Sequence, residues 1–327
     1  MSRSIRFLTA SFLFIWGVAC AAPGGAQEYP SRTVKLVVAY PPGGSTDTAA
    51  RMVAEALTAA MGQAFVVENR PGAGGTIGAA SVARSPADGY TLLFGASAET
   101  SIAPATMENI PYDVMKDFAP ISAVGKVPFL LVATPAFPPD SVAELVRYAK
   151  AHPGEVNYSS FGNNTSNHLT GALFAHLAGI EMNHVPYRGS GPSIADLMAG
   201  HVQISFDTIT AVLPLVRDKR LKALGVATQA RTTLAPGVPT ISESGIKDFT
   251  GGTWFGVLAP AGTPPDIQDK LAKAVGEALK EPDVTKKFAD SGITPFPTSP
   301  DGFREFIGAE ITKWTTLPGG PAARPKD

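Results

Sequence analysis

Cysteine occurs once, as Cys20 near the start of the chain, so no disulfide can form within the chain and no thiolate metal site is available. Neither sign of charge dominates. A formal net charge of -1 supplies no basic surface for nucleic acid and no acidic tail. After Pro30 no apolar run approaches the roughly 20 residues that a membrane-spanning helix needs. Repeats of fixed period are missing, and the 29 prolines are scattered at element boundaries instead of forming a low-complexity tract. Catalytic signatures are missing too: there is no Gly-x-Ser-x-Gly elbow and no His-Glu-x-x-His. His168, His176 and His184 recur every eight residues without an acidic neighbour, a spacing that does not make a metal site.

What is present begins with an export signal. Arg3 and Arg6 precede the apolar run Phe7 to Ala19, and small residues with Pro23-Gly24-Gly25-Ala26 follow. That order reads as a cleavable secretory leader over 1–26, too short in its apolar core to span a bilayer, so the protein is expected to be exported. A lipid-anchor reading of Cys20 would need a large aliphatic residue where Gly17 stands. The remaining length of about 300 residues exceeds one ordinary core, so two lobes are expected. With 44% hydrophobic residues there is material for both.

Short β-branched runs alternate with helical spacing throughout, which predicts an α/β architecture with helices against a largely parallel sheet. Strands are expected at 33–40, 65–68, 90–95, 129–134, 156–160, 184–187, 202–207, 221–228 and 254–259. Helical spacing covers Met52, Val53, Ala56, Leu57, Ala60 and Met61 and stops at Gly62. Further helices are expected over 142–151, 264–280 and 300–317, and the stretch 318–327 reads as a frayed tail.

Two segments share one design. Pro41-Pro42-Gly43-Gly44-Ser45-Thr46 and Pro71-Gly72-Ala73-Gly74-Gly75-Thr76 each join a strand to a helix start. Glycine admits a ligand close to the backbone, and the first amides of a helix lack internal partners. Such an end attracts anions, so two adjacent ones suit one carboxylate. Neither loop carries lysine or arginine, so neutral peptide N–H groups must do the binding. Ligands of open α/β sheets gather beyond the carboxyl ends of strands, where these loops fall. A dinucleotide fingerprint fails, because its third glycine position is Ile77.

A series of blocks runs along the chain: Tyr40-Pro41-Pro42-Gly43-Gly44 with Asp47 and Arg51, Val67 to Gly75, and Asp88-Gly89-Tyr90-Thr91. It continues through His184 to Gly189, Ser205-Phe206-Asp207, Val238-Pro239-Thr240 with Glu243-Ser244-Gly245, and Ala259 to Pro264. In these blocks and their order the chain resembles the Bug-type, TctC-like periplasmic receptors of tripartite tricarboxylate transport systems. The resemblance implies a two-lobed type II periplasmic-binding-protein fold with a crossing-strand hinge, lobe 1 over 29–125 plus 229–317 and lobe 2 over 126–228. It also implies a cleft in which the glycine loops grip a carboxylate while the loop from Gly162 to His168 faces the other end of the solute. Asn163 and Asn164 stand where the family usually carries glycine and serine, and Leu317-Pro318-Gly319-Gly320 replaces the usual closing segment.

The candidate ligand contacts are therefore Tyr40, Pro42, Gly43, Gly44, Ser45, Asp47, Ala73, Gly74, Gly75 and Thr76 in one lobe. In the other they are Asn163, Asn164, Thr165, Ser166, His168, Tyr187, Asp207 and Thr208, with Trp254 as a further cleft aromatic. Asp47 either steadies the positive helix end or meets a ligand amine. At least one of Asn163 to Ser166 serves as a helix cap. Tyr40, Tyr187 and Trp254 are aromatic walls or core, and Asp207 is a ligand contact or a cap. No catalytic, metal or cofactor residue is assigned. The expected function is a monomeric solute receptor for a di- or tricarboxylate, an acidic amino acid or an aromatic acid. It would hand that solute to integral membrane permease subunits, with signalling to a sensor kinase and a secreted hydrolase as the alternatives.

Overall fold

The computed structural model describes residues 28–316. The expected leader and the tail at 318–327 lie outside the described residues. The chain runs β1 Val34–Val38, α1 Ser45–Met61, β2 Phe65–Asn69, α2 Thr76–Ala83, β3 Thr91–Ala96, α3 Ala103–Thr106 and α4 Val114–Asp117. Then follow the long β4 Phe118–Ala133, α5 Val142–Ala151, β5 Asn157–Ser160, α6 Ser166–Ala178, β6 Asn183–Pro186 and α7 Ser190–Ala199. The last third holds β7 Ile204–Thr208, α8 Ile209–Arg217, β8 Lys222–Val226, β9 Gly252–Pro260, α9 Pro265–Ala278, α10 Pro282–Asp290, β10 Thr294–Pro295 and α11 Pro300–Thr316.

Strand order explains why two lobes arise. The path β2-β1-β3-β9-β4-β7-β5-β6 reads the same from either end: a central first strand, flanked by two parallel partners, then one antiparallel strand. β4 belongs to both halves, pairing with β9 over Phe118 to Pro128 and with β7 and β8 over Phe129 to Ala133. The crossing is tied at one level. Phe129 N–H donates to Gly251 O (3.1 Å), Ala227 N–H to Phe129 O (2.9 Å) and Gly251 N–H to Ala227 O (3.0 Å). A side chain at Gly252 would stand 2.5 Å from Val127 O, so only glycine lets these strands approach.

Both faces of each half-sheet are covered, which is why the strands read as unbroken apolar runs. In lobe 1, Leu36 and Val38 face Val53, Leu57 and Leu271, while Val37 and Leu93 face Phe303 and Ile307. In lobe 2, Phe129 and Leu131 meet Leu145, Phe174 and Phe206, while Leu130 and Val132 meet Leu197 and Val212. The stretch 229–250, expected wholly in lobe 1, divides between the cores: Ala235 joins the first, Ile241 and Phe249 the second. Sequence reading also missed the first eleven residues of β4, because Pro120 and Gly125 interrupt the pattern. The strand absorbs them with register shifts between Pro120 and Ser122 and between Ala123 and Gly125.

Candidate functional site

Because β2, β1 and β3 run parallel, the loops that leave them share one sheet edge. The first loop is locked from within. Asp47, 3% exposed, accepts from Gly43 N–H (3.0 Å) and Arg51 Nε (2.9 Å) through Oδ2 and from Asn69 Nδ2 (2.9 Å) through Oδ1. The same Asn69 amide donates to Tyr40 O (2.9 Å), tying β2 to the loop. Burial works against the Asp47 charge, yet the bonds from Arg51, Gly43 and Asn69 hold its carboxyl below the usual range. Asp47 therefore steadies the helix start, the first of its two expected roles. Gly43 N–H is spent on it, whereas the amides of Ser45, Thr46 and Asp47 find no acceptor among the described residues.

The second loop is bent by four consecutive positive φ values, from Gly72 (141°) through Ala73 (46°) and Gly74 (63°) to Gly75 (99°). Gly75 N–H closes on Gly72 O (3.0 Å) and Thr76 Oγ1 on Ala73 O (2.9 Å), while the amides of Ala73 and Gly74 have no acceptor among the described residues. Beneath this turn lies Glu99, fully buried in the short helical turn Ala98–Ile102 after β3. Its Oε1 accepts from Ala96 N–H (2.6 Å) and its Oε2 from the Tyr40 hydroxyl (2.8 Å). A side chain on Gly75 would meet Glu99 Oε2 at 2.9 Å and the Tyr40 oxygen at 3.1 Å. Burial pushes the Glu99 carboxyl up to about 7, against those hydrogen bonds.

The second lobe repeats the plan with different chemistry, since β6, β5 and β7 also end at one edge. Asn164 adopts φ 58°, and its N–H donates to His168 Nδ1 (3.1 Å), which fixes that nitrogen as the acceptor. Thr165 stands at the N-terminal boundary of α6, but its Oγ1 turns to Gly162 O and Asn167 Oδ1, both at 2.7 Å, and not to the amides of the helix. Asn167 is buried, with its Nδ2 unpartnered among the described residues. His168 stacks on His184 at 3.9 Å between ring centres, and His184 Nε2 lies 2.5 Å from Ser160 Oγ. Burial, then the neighbouring His168, drives His184 down to about 4. Asp207 is fully buried, accepting from Thr208 N–H (2.7 Å) and Ser190 Oγ (3.1 Å), and burial pushes it up to about 7.

The two edges face each other. A side chain on Gly74 would stand 3.3 Å from Asn163 O, and one on Gly189 3.4 Å from Pro41 Cγ. The structure thus brings together Tyr40, Gly43, Gly44, Ser45, Ala73, Gly74, Gly75 and Thr76 on one side and Asn163, Asn164, Thr165, Ser166 and His168 on the other, with Pro42 exposed at the rim. Trp254 is the exception: it is 4% exposed, its rings pack on Phe303 and Phe306, and its indole N–H donates to Glu310 (3.2 Å). Strand alternation turns Trp254 under α11 and leaves Thr253 to meet Ser97 Oγ at 2.9 Å. The Tyr187 hydroxyl is likewise engaged, by Asp196 (2.8 Å), and Asp207 and Thr208 bond to each other beneath the loop. Glu99 is absent from the expected site, and Asn167 enters it only as part of the Gly162 to His168 loop, not as a named contact. The signal for Glu99 was one acid in the small-residue run Ala96 to Ser101 directly after a strand.

This geometry has counterparts among known proteins. The model of the tripartite tricarboxylate transporter family receptor matches residues 49–318. The chain belongs to that family. Among curated relatives, Protein BugT of Bordetella pertussis is 42% identical over 310 residues, covering 94% of this chain and 95% of BugT. R. palustris Rpa4515, solved with adipate, is 36% identical with a TM-score of 0.87 and covers 89% of this chain and 98% of its own. MatC from Rhodopseudomonas palustris, solved with bound malate, is 34% identical with a TM-score of 0.83, covering 88% and 99%. The periplasmic binding protein BugD aligns at a TM-score of 0.84 and 33% identity over 89% and 98%. The fold is accordingly the two-lobed one of periplasmic binding proteins, and the chain is a solute-binding receptor, not an enzyme.

Proposed function

We propose that this receptor is exported to the periplasm, loses residues 1–26, and holds a small carboxylate between its lobes for delivery to integral membrane permease subunits. The observation that carries the carboxylate reading is the pair of adjacent loops whose amides at Ser45, Thr46, Ala73 and Gly74 have no acceptor among the described residues. Unpaired N–H groups at a helix start favour an anion and reject a cation. Adipate on Rpa4515 and malate on MatC set the scale of the solute, a small dicarboxylate. The distal end would rest on Asn163, Asn164 and the α6 start. A transporter is the favoured recipient over a sensor kinase, because family membership pairs the receptor with a transport system. Acting as a monomer, it would close about the crossing at Phe129, Ala227 and Gly251.

Thermal-shift screening against adipate, malate, tricarboxylates, acidic amino acids and aromatic acids tests this reading. An acid at about 100 times its Kd adds about 2.7 kcal/mol, a shift of roughly 5 °C for a chain of this size. Gly74→Val places a β-branched side chain at positive φ against Asn163 O and should abolish that shift while circular dichroism stays native. A panel without a single binder, or undiminished binding by folded Gly74→Val, would sink the assignment.

A further inference from the structure

The binding loops rest on an acid that no cation neutralises. Glu99 has no ion-pair partner among the described residues, and its carboxylate is met by the Ala96 N–H, its own N–H and the Tyr40 hydroxyl, all uncharged. The groups around it are accounted for element by element. From the loop after β1 comes Tyr40, and from the stretch before α4 comes Tyr112, whose hydroxyl donates to Glu99 O (2.6 Å). The turn Ala73–Gly75 offers only backbone, and α2 and α3 carry no ionisable side chain. On α1, Arg51 is held by Asp47 and Asn69. On α11, Arg304 is turned to Met115 O, while Glu310 takes Trp254 and Lys313; Asp301 and Glu305 complete its charges near this packing.

A phenol has one hydrogen. While Glu99 is ionised, Tyr40 spends that hydrogen on Oε2, 2.8 Å away. Once Oε2 carries a proton, the bond reverses: Oε2–H donates to the Tyr40 oxygen, and the phenol hydrogen is released toward the glycine turn, whose Gly74 O is 3.3 Å off. An anion seated on that turn gains a donor in the second arrangement, and in the first it faces a buried like charge.

We propose that Glu99 is a positioning residue of the anion seat, which must hold a proton for the Tyr40 hydroxyl to serve the bound carboxylate, so that the receptor takes up its acid together with one proton. This rests on the carboxylate reading above. Tyr40 is the contacting group; Glu99 acts through it. Burial already keeps the carboxyl protonated up to about pH 7 in the free protein, and a neighbouring anion extends that range upward. Affinity is then greatest in acid and falls as pH rises beyond about 7.

Calorimetry of the full mature chain with adipate and with malate, in two buffers of unlike ionisation heat, measures the proton directly. Between about pH 7 and 8.5 the Kd should rise by up to about tenfold per pH unit, with up to one proton absorbed per acid bound. Glu99→Gln imitates the protonated state, since its amide can accept from Ala96 and donate to Tyr40; it should flatten that profile and abolish proton uptake. Tyr40→Phe serves if Glu99→Gln fails to fold, and should lose affinity at pH 6 but not at pH 8.5. Infrared spectroscopy without ligand gives an independent reading. A protonated-carboxyl band that vanishes with a midpoint of about pH 7, and is missing in Glu99→Gln, supports the proposal. No such band at pH 5.5, or a pH-independent Kd in the native protein, overturns it. Failure of both acids to bind counts against the carboxylate reading and leaves the infrared result to decide the state of Glu99.

Discussion

The two lobes solve one problem with different chemistry on the same strand plan. Each places helix starts beyond a three-stranded parallel edge, and each fully buries a carboxyl without an ion-pair partner there, Glu99 or Asp207. Lobe 1 exposes main chain, stiffened by the Asp47, Arg51 and Asn69 bonds and by four positive φ angles. Lobe 2 exposes side chains: Asn163, Asn164 and the stacked His168 and His184. Backbone donors recognise any carboxylate, whereas side-chain amides and imidazoles distinguish what is attached to it. On the proposed carboxylate reading, the contrast assigns affinity for an acid group to lobe 1 and choice among acids to lobe 2.

Substituting the glycines tests that division most severely. Gly75→Val should abolish acid binding, by roughly 100-fold or more, and remove about 3 kcal/mol of stability, because its Cβ strikes Glu99 and Tyr40 at positive φ. Its counterpart Gly162→Ala, whose nearest neighbour is Tyr187 O at 3.6 Å, should cost about 1 kcal/mol and under about tenfold in Kd. Chemical denaturation and calorimetry on both variants decide between them.

Next in size is the pH dependence of stability. Glu99 and Asp207 hold their protons more tightly folded than unfolded, so their contributions are full below about pH 4 and are lost as pH rises through about 7. Each is worth on the order of 3 kcal/mol over that range. His184 has the opposite sign: its pKa falls from 6.5 to about 4, so its contribution is present above 6.5 and lost as pH falls to 4. Both windows lie between about pH 4 and 7, so the two signs oppose each other there. In melting curves from pH 4 to 8.5, Glu99→Gln should remove a loss of stability with rising pH and His184→Gln a gain, so lobe 2, which holds Asp207 and His184, partly cancels while lobe 1 shows a net fall.

Smaller effects sharpen the same contrast. Asp47→Ala frees the first loop and leaves Asn69 and Gly43 donors unmatched, which should weaken every acid alike by about tenfold, or about 1.4 kcal/mol. Asn163→Ala should instead reorder the acids, changing their Kd ratios more than their mean. Smallest of all in its effect on binding, Trp254→Phe loses the bond to Glu310 and part of the indole's packing on Phe303 and Phe306; it should lower stability by about 2 kcal/mol and leave every Kd unchanged.

Much of this was legible before any coordinates. The strands β1, β2 and β3 and the helix ending at Gly62 follow from apolar periodicity and glycine punctuation, and α5 falls at 142–151 as its spacing predicts. Local rules failed where a neighbour overrode them. The first part of β4 is held by β9 despite Pro120 and Gly125, and α10 docks Val284 and Phe288 on the first core through a spacing too sparse to stand out. Trp254 pointed away from the expected wall because one register step in β9 selects the face, and register belongs to the pairing with β3 and β4.

By itself the sequence determined that the chain has two α/β lobes and two glycine-rich loops, each joining a strand to a helix start without a cation. Glycine, proline and periodic apolar residues act through the backbone within a few positions of themselves, so their meaning survives without a partner. Only the tertiary structure decided that Glu99 lies beneath the second loop, that Tyr40 bonds to it, and that Asn163 faces Gly74. Those relations join residues far apart along the chain, 59 positions in the case of Tyr40 and Glu99, and burial, which raises this carboxyl to about 7, is a property of the packed chain.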